Sequence, residues 1–181
     1  MDINLIVNIT SRAWALSILT QMHRGVAGRQ APLLKATGAS RTAFAQSMKH
    51  LIDIDLVERN PGYGHPLRPE FRLTLQGIAA AELAHRIQSV SDTRDLDLLR
   101  LSWTLPVLTV IHRPKHFNEI KRNLASITDR ALSKSLSAME ERSWVSRNVE
   151  EDARPPRSLY SAINAGGAIS QVTASEISMP S

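Results

Sequence analysis

Two groups of side chains in this 181-residue sequence have the types and spacing for reading a hydrogen-bonding surface. Arg41, Thr42, Gln46 and Lys49 fall at helical spacing in one segment, and Arg130, Ser133, Lys134 and Ser137 in another. Arg and Lys suit guanine edges, Gln can pair with adenine, and hydroxyls can reach bases or phosphates. Apolar residues alternate with both groups at the same helical period: Phe44, Met48, Leu51 and Ile52 in the first segment, Leu132, Leu136 and Met139 in the second. Each segment would bury one face and expose the other. A solvated helix face carries Arg, Lys, Ser and Gln as a matter of course, so these groups gain meaning only from the elements around them.

Other chemistry finds little support. No thiol is present, which excludes disulfides and thiolate-bound zinc. His112 and His116 have helical metal spacing, but Pro114 lies between them and no third ligand is near in sequence. Gly62-Tyr63-Gly64 lacks the strand-to-helix context of a phosphate loop, and there is no nucleophile elbow, dinucleotide fingerprint or Walker motif. The expectation is a non-enzyme with no metal and no cofactor.

An internal repeat organises the chain. Trp14-Ala15-Leu16-Ser17-Ile18-Leu19 precedes Trp103-Thr104-Leu105-Pro106-Val107-Leu108 by 89 positions. Leu56-Val57-Glu58-Arg59 precedes Trp144-Val145-Ser146-Arg147 by 88, and Phe71 and Gly77 precede Tyr160 and Gly166 by 89. A period this long reads as a duplicated domain. Each half predicts a helix opened by a core Trp, a short helix (residues 31–36 or 117–124), a turn, and a third helix N-capped by Ser40 or Thr128. A β-prone segment, a Pro/Gly-rich or acidic tip (including Glu150-Glu151-Asp152) and a returning strand follow, which read as a hairpin. In half one the helix over residues 75–89, capped by Thr74, continues the chain; half two is expected not to repeat it. Pro106 fits only in the first turn of its helix or at a kink.

This is the order of a winged helix-turn-helix, with the third helix sized for a major groove and the hairpin for the backbone or minor groove. The expected fold is mainly α with small β-hairpins (α+β), as two tandem winged helix-turn-helix domains. Their bounds are residues 1–90 and 91–168, with a flexible tail over 169–181. Half two resembles the HxlR-type transcriptional regulators, within the wider winged-helix group that includes MarR-type regulators. The resemblance rests on Trp103-Thr104-Leu105-Pro106-Val107-Leu108, on Pro114-Lys115-His116-Phe117-Asn118-Glu119-Ile120, on Ile127-Thr128, Leu132, Leu136, Glu140, Val145 and Arg147, and on Pro155-Pro156-Arg157-Ser158-Leu159-Tyr160. It covers residues 99–166. Half one is similar more loosely, through Ser40-Arg41-Thr42, Leu56-Val57-Glu58-Arg59 and Phe71-Arg72-Leu73-Thr74-Leu75-Gln76-Gly77.

The resemblance implies a duplex-DNA-binding repressor or activator. Its usual members carry one such domain and dimerise through terminal helices, so two domains in one chain raise an intramolecular pseudo-dimer beside a homo-oligomer. Candidate DNA contacts are Ser40, Arg41, Thr42, Gln46 and Lys49 with wing residues His65, Arg68 and Arg72. In half two they are Arg130, Ser133, Lys134 and Ser137 with wing residues Arg147, Arg154 and Arg157. Asp129 and the three wing acids speak against phosphate contact there, and leave a protein–protein assembly module as the alternative. Leu83, Ile87, Leu96, Leu98 and Leu99 could line a small-molecule effector pocket or simply pack.

Composition agrees with a polyanion partner. Lys and Arg number 22 against 17 acids, for a net charge of +5 and a pI near 10.1. No apolar run reaches bilayer length, and Met1-Asp2-Ile3-Asn4 lacks a basic leader region. The expected location is therefore the cytoplasm, at the nucleoid, and no membrane partner is expected.

Overall fold

A computed structural model describes residues 2–60, 69–150 and 156–177. The architecture is α+β, mostly helical with small antiparallel sheets, consistent with a winged helix-turn-helix. The chain divides into two compact units, one of Arg12–Ser89 and one of Met1–Ser11 together with Val90–Ser181. The first eleven residues, grouped by sequence with the first half, thus belong with the second. Their helix α1 (Ile3–Thr10) is N-capped by Asp2, whose carboxylate accepts from the Asn4 N–H, and it buries Ile3, Ile6 and Ile9.

The unit of Arg12–Ser89 begins with α2 (Ala15–His23), which buries Ala15, Leu16, Ile18 and Leu19. Trp14 sits at its N-cap and is half-buried, not the enclosed core anchor expected of it. Buried Thr20 donates its hydroxyl to the Leu16 carbonyl at 3.0 Å, which removes the cost of enclosing it. Helix α3 (Gln30–Thr37) ends at Gly38, whose φ of 70° takes the left-handed turn that a residue with a Cβ resists. Helix α4 (Arg41–Asp53) follows, burying Phe44, Ser47, Met48 and Leu51. Strands β1 (Val57–Arg59) and β2 (Phe71–Leu73) pair antiparallel, Val57 opposite Leu73 and Arg59 opposite Phe71, and a bridge joins Arg29 to Glu70. Helix α5 (Leu75–Ser89) closes the unit against α2. As expected, Thr74 caps it, its hydroxyl accepting from the Gly77 N–H at 3.0 Å.

In the second unit a 3₁₀ turn (Thr93–Asp95) and α6 (Leu96–Leu99) lead to α7 (Thr104–Val110), which is buried at every residue and packs on α1. The Thr10 hydroxyl reaches the Ser102 carbonyl at 2.7 Å. Trp103 is half-buried at the N-cap, and Pro106 lies in the first turn, where no intrahelical N–H bond is lost. Strand β3 (Lys115–His116) runs into α8 (Phe117–Asn123), and α9 (Asp129–Glu141) buries Leu132, Ser135, Leu136 and Met139. Strands β4 (Val145–Glu150) and β5 (Arg157–Ala162) form the hairpin, with β5 central in the order β3-β5-β4. Trp144, 1% exposed, is enclosed at the start of that hairpin, and Tyr160 of β5 is buried as well.

The chain then enters α10 (Asn164–Glu176), which buries Gly166, Ile169, Ser170 and Thr173 and packs on α7. Most of the expected flexible tail is therefore ordered helix, and half two does repeat the closing helix. Its buried face is built of small and hydroxyl residues. Ser170 donates to the Leu108 carbonyl at 2.7 Å and Thr173 to the Ser170 carbonyl at 3.1 Å, so these positions are enclosed without being apolar. Among the described residues no single helix is long and apolar enough to cross a membrane.

Candidate nucleic-acid interface

The solvent face of α4 is set by its own stripe. Ser40 is the N-cap, its hydroxyl accepting from the Ala43 N–H at 3.2 Å, which fixes where the helix starts. With Phe44, Ser47, Met48 and Leu51 turned inward, Arg41, Thr42, Ala45, Gln46 and Lys49 are exposed. Lys49 is tied to Asp53 one turn on, at 2.6 Å. Such an exposed i,i+4 pair is worth about 0.3–0.5 kcal/mol, little enough to exchange for another anion. On the hairpin, exposed Arg72 pairs with Glu58 across β1 and β2 at 2.6 Å. His65 and Arg68 lie outside the described residues.

The second unit repeats the construction. The Thr128 hydroxyl accepts from the Ala131 N–H at 3.2 Å, and Arg130, Ser133, Lys134 and Ser137 are exposed along α9. Asp129, the acid expected to repel phosphate, is held by Lys121 of α8 at 2.6 Å. That pair sets a cation beside it and bridges the two helices. Arg147 of β4 donates from Nε to the Ser158 hydroxyl of β5 at 2.8 Å, and exposed Arg157 faces Glu150 in register. Arg154, Glu151 and Asp152 lie outside the described residues. Glu150 comes to 3.6 Å of the His116 ring.

Each unit also has a cleft beside its short helix. In the first it is about 600 Å³, lined by Arg29, Gln30, Arg41 and Pro69, so α3, α4 and the foot of the hairpin meet there. In the second it is about 650 Å³, lined by His116, Asn118, Glu119, Arg122, Arg157 and Ser158. Arg29, Gln30, Asn118 and Arg122 were not singled out by sequence reasoning. For Arg29, Gln30 and Asn118 the signal was position at or just inside the start of the short helix, where unpaired backbone donors gather; Arg122 lies instead in the last turn of α8. Arg29 is partly engaged by Glu70 at 3.7 Å.

The foot of α8 is locked by a reciprocal cap. The His116 N–H donates to Glu119 Oε2 at 2.8 Å, and the His116 side chain caps the Glu119 backbone in return. That backbone hydrogen bond, with the nearby His116, Lys115 and Arg122 charges, holds the Glu119 carboxyl below its ordinary value of 4.5. The Nδ1 of His116 lies 3.1 Å from the Ser158 carbonyl, so β5 anchors the same corner. His112 sits apart, exposed, with its Nδ1 at 3.2 Å from the Thr109 carbonyl. Of the five apolar candidates for an effector pocket, Leu83 and Ile87 are buried in α5, Leu98 and Leu99 are buried in α6, and Leu96 is half-buried.

Chemically, each unit thus offers an N-capped helix with an exposed row of hydrogen-bond donors, a short helix before it and a hairpin carrying arginines. Residues 98–177, the stretch from α6 through α10, match the family model described as HxlR-like helix-turn-helix. No curated protein matches the chain. The matched stretch is of the kind found in DNA-binding transcription regulators.

Proposed function

We propose that this chain is a sequence-specific duplex-DNA-binding transcription regulator built from two winged helix-turn-helix modules in tandem. In each, the third helix (α4 or α9) enters a major groove and the hairpin follows the backbone or adjacent minor groove. The carrying observation is the pair of N-capped helices whose exposed faces hold Arg41, Thr42, Gln46 and Lys49, and Arg130, Ser133, Lys134 and Ser137. Arg72 and Arg157 add hairpin contacts to phosphate, and His65, Arg68 and Arg154 are proposed for the hairpin tips. An intramolecular pseudo-dimer reading two half-sites follows from two modules on one chain.

Duplication is supported by details that recur at the repeat distance. Asp55 and Ser143 both take positive φ, 57° and 55°, in the turn before the hairpin. Leu56 donates its N–H to the Leu51 carbonyl at 3.0 Å, and Trp144 to that of Met139 at 2.8 Å. Gly77 and Gly166 each lie against the carbonyl of that same residue, Leu56 or Trp144, leaving no room for a Cβ. Thr20 and Thr109 both return their hydroxyls to the carbonyl four residues back, Leu16 or Leu105. The bridge of Arg29 to Glu70 stands where β3 pairs with β5 at His116 and Leu159.

Fluorescence anisotropy with duplex fragments from upstream of its own reading frame tests the proposal. Affinity is expected to fall by orders of magnitude between about 50 and 200 mM salt, as neutralised phosphates release counterions. Absence of duplex binding at the low end refutes it, and co-purification of a stoichiometric protein partner under those conditions would favour an assembly module.

A further inference from the structure

The two exposed helix faces occupy the same place in their units but are chemically different. Ser40 and Thr128 start α4 and α9 with the same cap, so the faces can be read position by position. Arg41 stands where Asp129 does, Thr42 where Arg130 does, and Ala45 where Ser133 does; Gln46 matches Lys134, and Lys49 matches Ser137. All ten are exposed, and no matched pair offers the same group. The first pair is a charge reversal, and Asp129 is further withdrawn by Lys121 at 2.6 Å. In α4 the donors are thus a leading guanidinium with a hydroxyl beside it, a carboxamide one turn on and an ammonium near the end. In α9 the guanidinium is shifted by one position, the ammonium takes the carboxamide's place, and two hydroxyls complete the row.

Base edges discriminate among these groups. A guanidinium or ammonium favours guanine O6 and N7, a carboxamide favours adenine N6 and N7, and an alanine methyl packs on a thymine methyl. A two-fold dimer reads a palindrome because both subunits present one recognition helix. This chain presents two different ones, and nothing constrains their half-sites to match. We infer that the DNA site of this protein is asymmetric: one half-site is read by α4 through Arg41, Ala45 and Gln46, and a different half-site by α9 through Arg130 and Lys134. The inference rests on the reading of both units as DNA-binding modules. It further assigns adenine discrimination to the half-site of α4, because Gln46 is the carboxamide on either face.

Selection of the full-length protein against a random duplex library, at about 50 mM salt, tests this. The expected result is two unlike sequence elements at fixed spacing. Rebuilding the selected site as a palindrome of either element should weaken binding about tenfold or more, the scale of one good base contact. Gln46→Ala should then relax preference in one element only, and Lys134→Ala in the other only. Both are exposed surface changes that leave the helix stripes intact, and circular dichroism verifies that the fold is kept. A palindromic selected site overturns the inference while leaving the DNA-binding function standing. So does a site of one element that responds to one variant alone. Failure to enrich any sequence, with no anisotropy change on bulk duplex, overturns the function and the inference together.

Discussion

At the scale of single residues, charge and cap chemistry decide what this surface can do. Replacing Arg41 and Lys49 together by alanine removes both formal cations of the α4 row. Specific duplex binding is expected to be abolished, with weak salt-sensitive binding left to α9, and an anisotropy titration against the selected site reads it. The Lys49–Asp53 pair complicates interpretation slightly, since Lys49→Ala also strips Asp53 of its partner. Measuring Arg41→Ala alone separates the two. Glu119 makes a pH prediction. Its carboxyl is depressed in the fold, so the stability it lends through the α8 cap is present above 4.5 and disappears as pH falls through the lower folded value. Thermal melts of the wild type and Glu119→Gln should differ by a few degrees at neutral pH, and the difference should shrink progressively below about pH 4. A difference that grows on acidification would show that the cap is not what the carboxylate does.

At the scale of elements, the hairpin-to-helix corner of each unit is closely packed. Gly77 and Gly166 sit in the first turn of the closing helices with a carbonyl where a side chain would begin. Gly77→Ala and Gly166→Ala must push the hairpin away from the helix, and each is expected to destabilise its unit by about 2–4 kcal/mol. Urea unfolding followed by tryptophan fluorescence reads the second case directly, because Trp144 supplies the opposing carbonyl. The helices around these corners were largely legible in the sequence. A hydroxyl cap before an apolar stripe marks α4 and α9, and Thr74 marks α5, because cap and stripe are local signals. Both exposed polar rows were legible for the same reason: once the stripe is placed, the opposite face follows. Helix α10 was not, since Ser170 and Thr173 take core positions by bonding to carbonyls, and Gly166 by close approach. Periodicity of apolar residues cannot register a core face made that way. Trp14 and Trp103 misled in the opposite sense. Their size suggests full burial, but as N-cap residues they lie at the edge of the core and keep part of the ring in water.

At the scale of the whole molecule, connectivity and compactness part company. Helix α1 precedes Arg12–Ser89 in the chain but is built into the other unit, packed on α7 and held by the Thr10 bond to the Ser102 carbonyl. No local pattern reveals such a partner, because the three isoleucines of α1 describe a face and not what covers it. Removing residues 2–11 withdraws three buried isoleucines at about 2 kcal/mol each. Amide exchange is expected to accelerate in α7, while α2 and α5 of the other unit keep their protection. Equal acceleration in both units would contradict the division.

The same threading has a consequence during synthesis. Helix α1 is synthesised well before its partner: roughly 90 residues separate its end from α7, and elongation at about 5–20 residues per second delays that partner by several seconds. Throughout that interval Arg12–Ser89 can complete its own core, whereas the isoleucine face of α1 stays without its native cover. A nascent chain of this protein therefore carries a sticky helix until α7 has been made, which makes α1 a place where a chaperone would take hold.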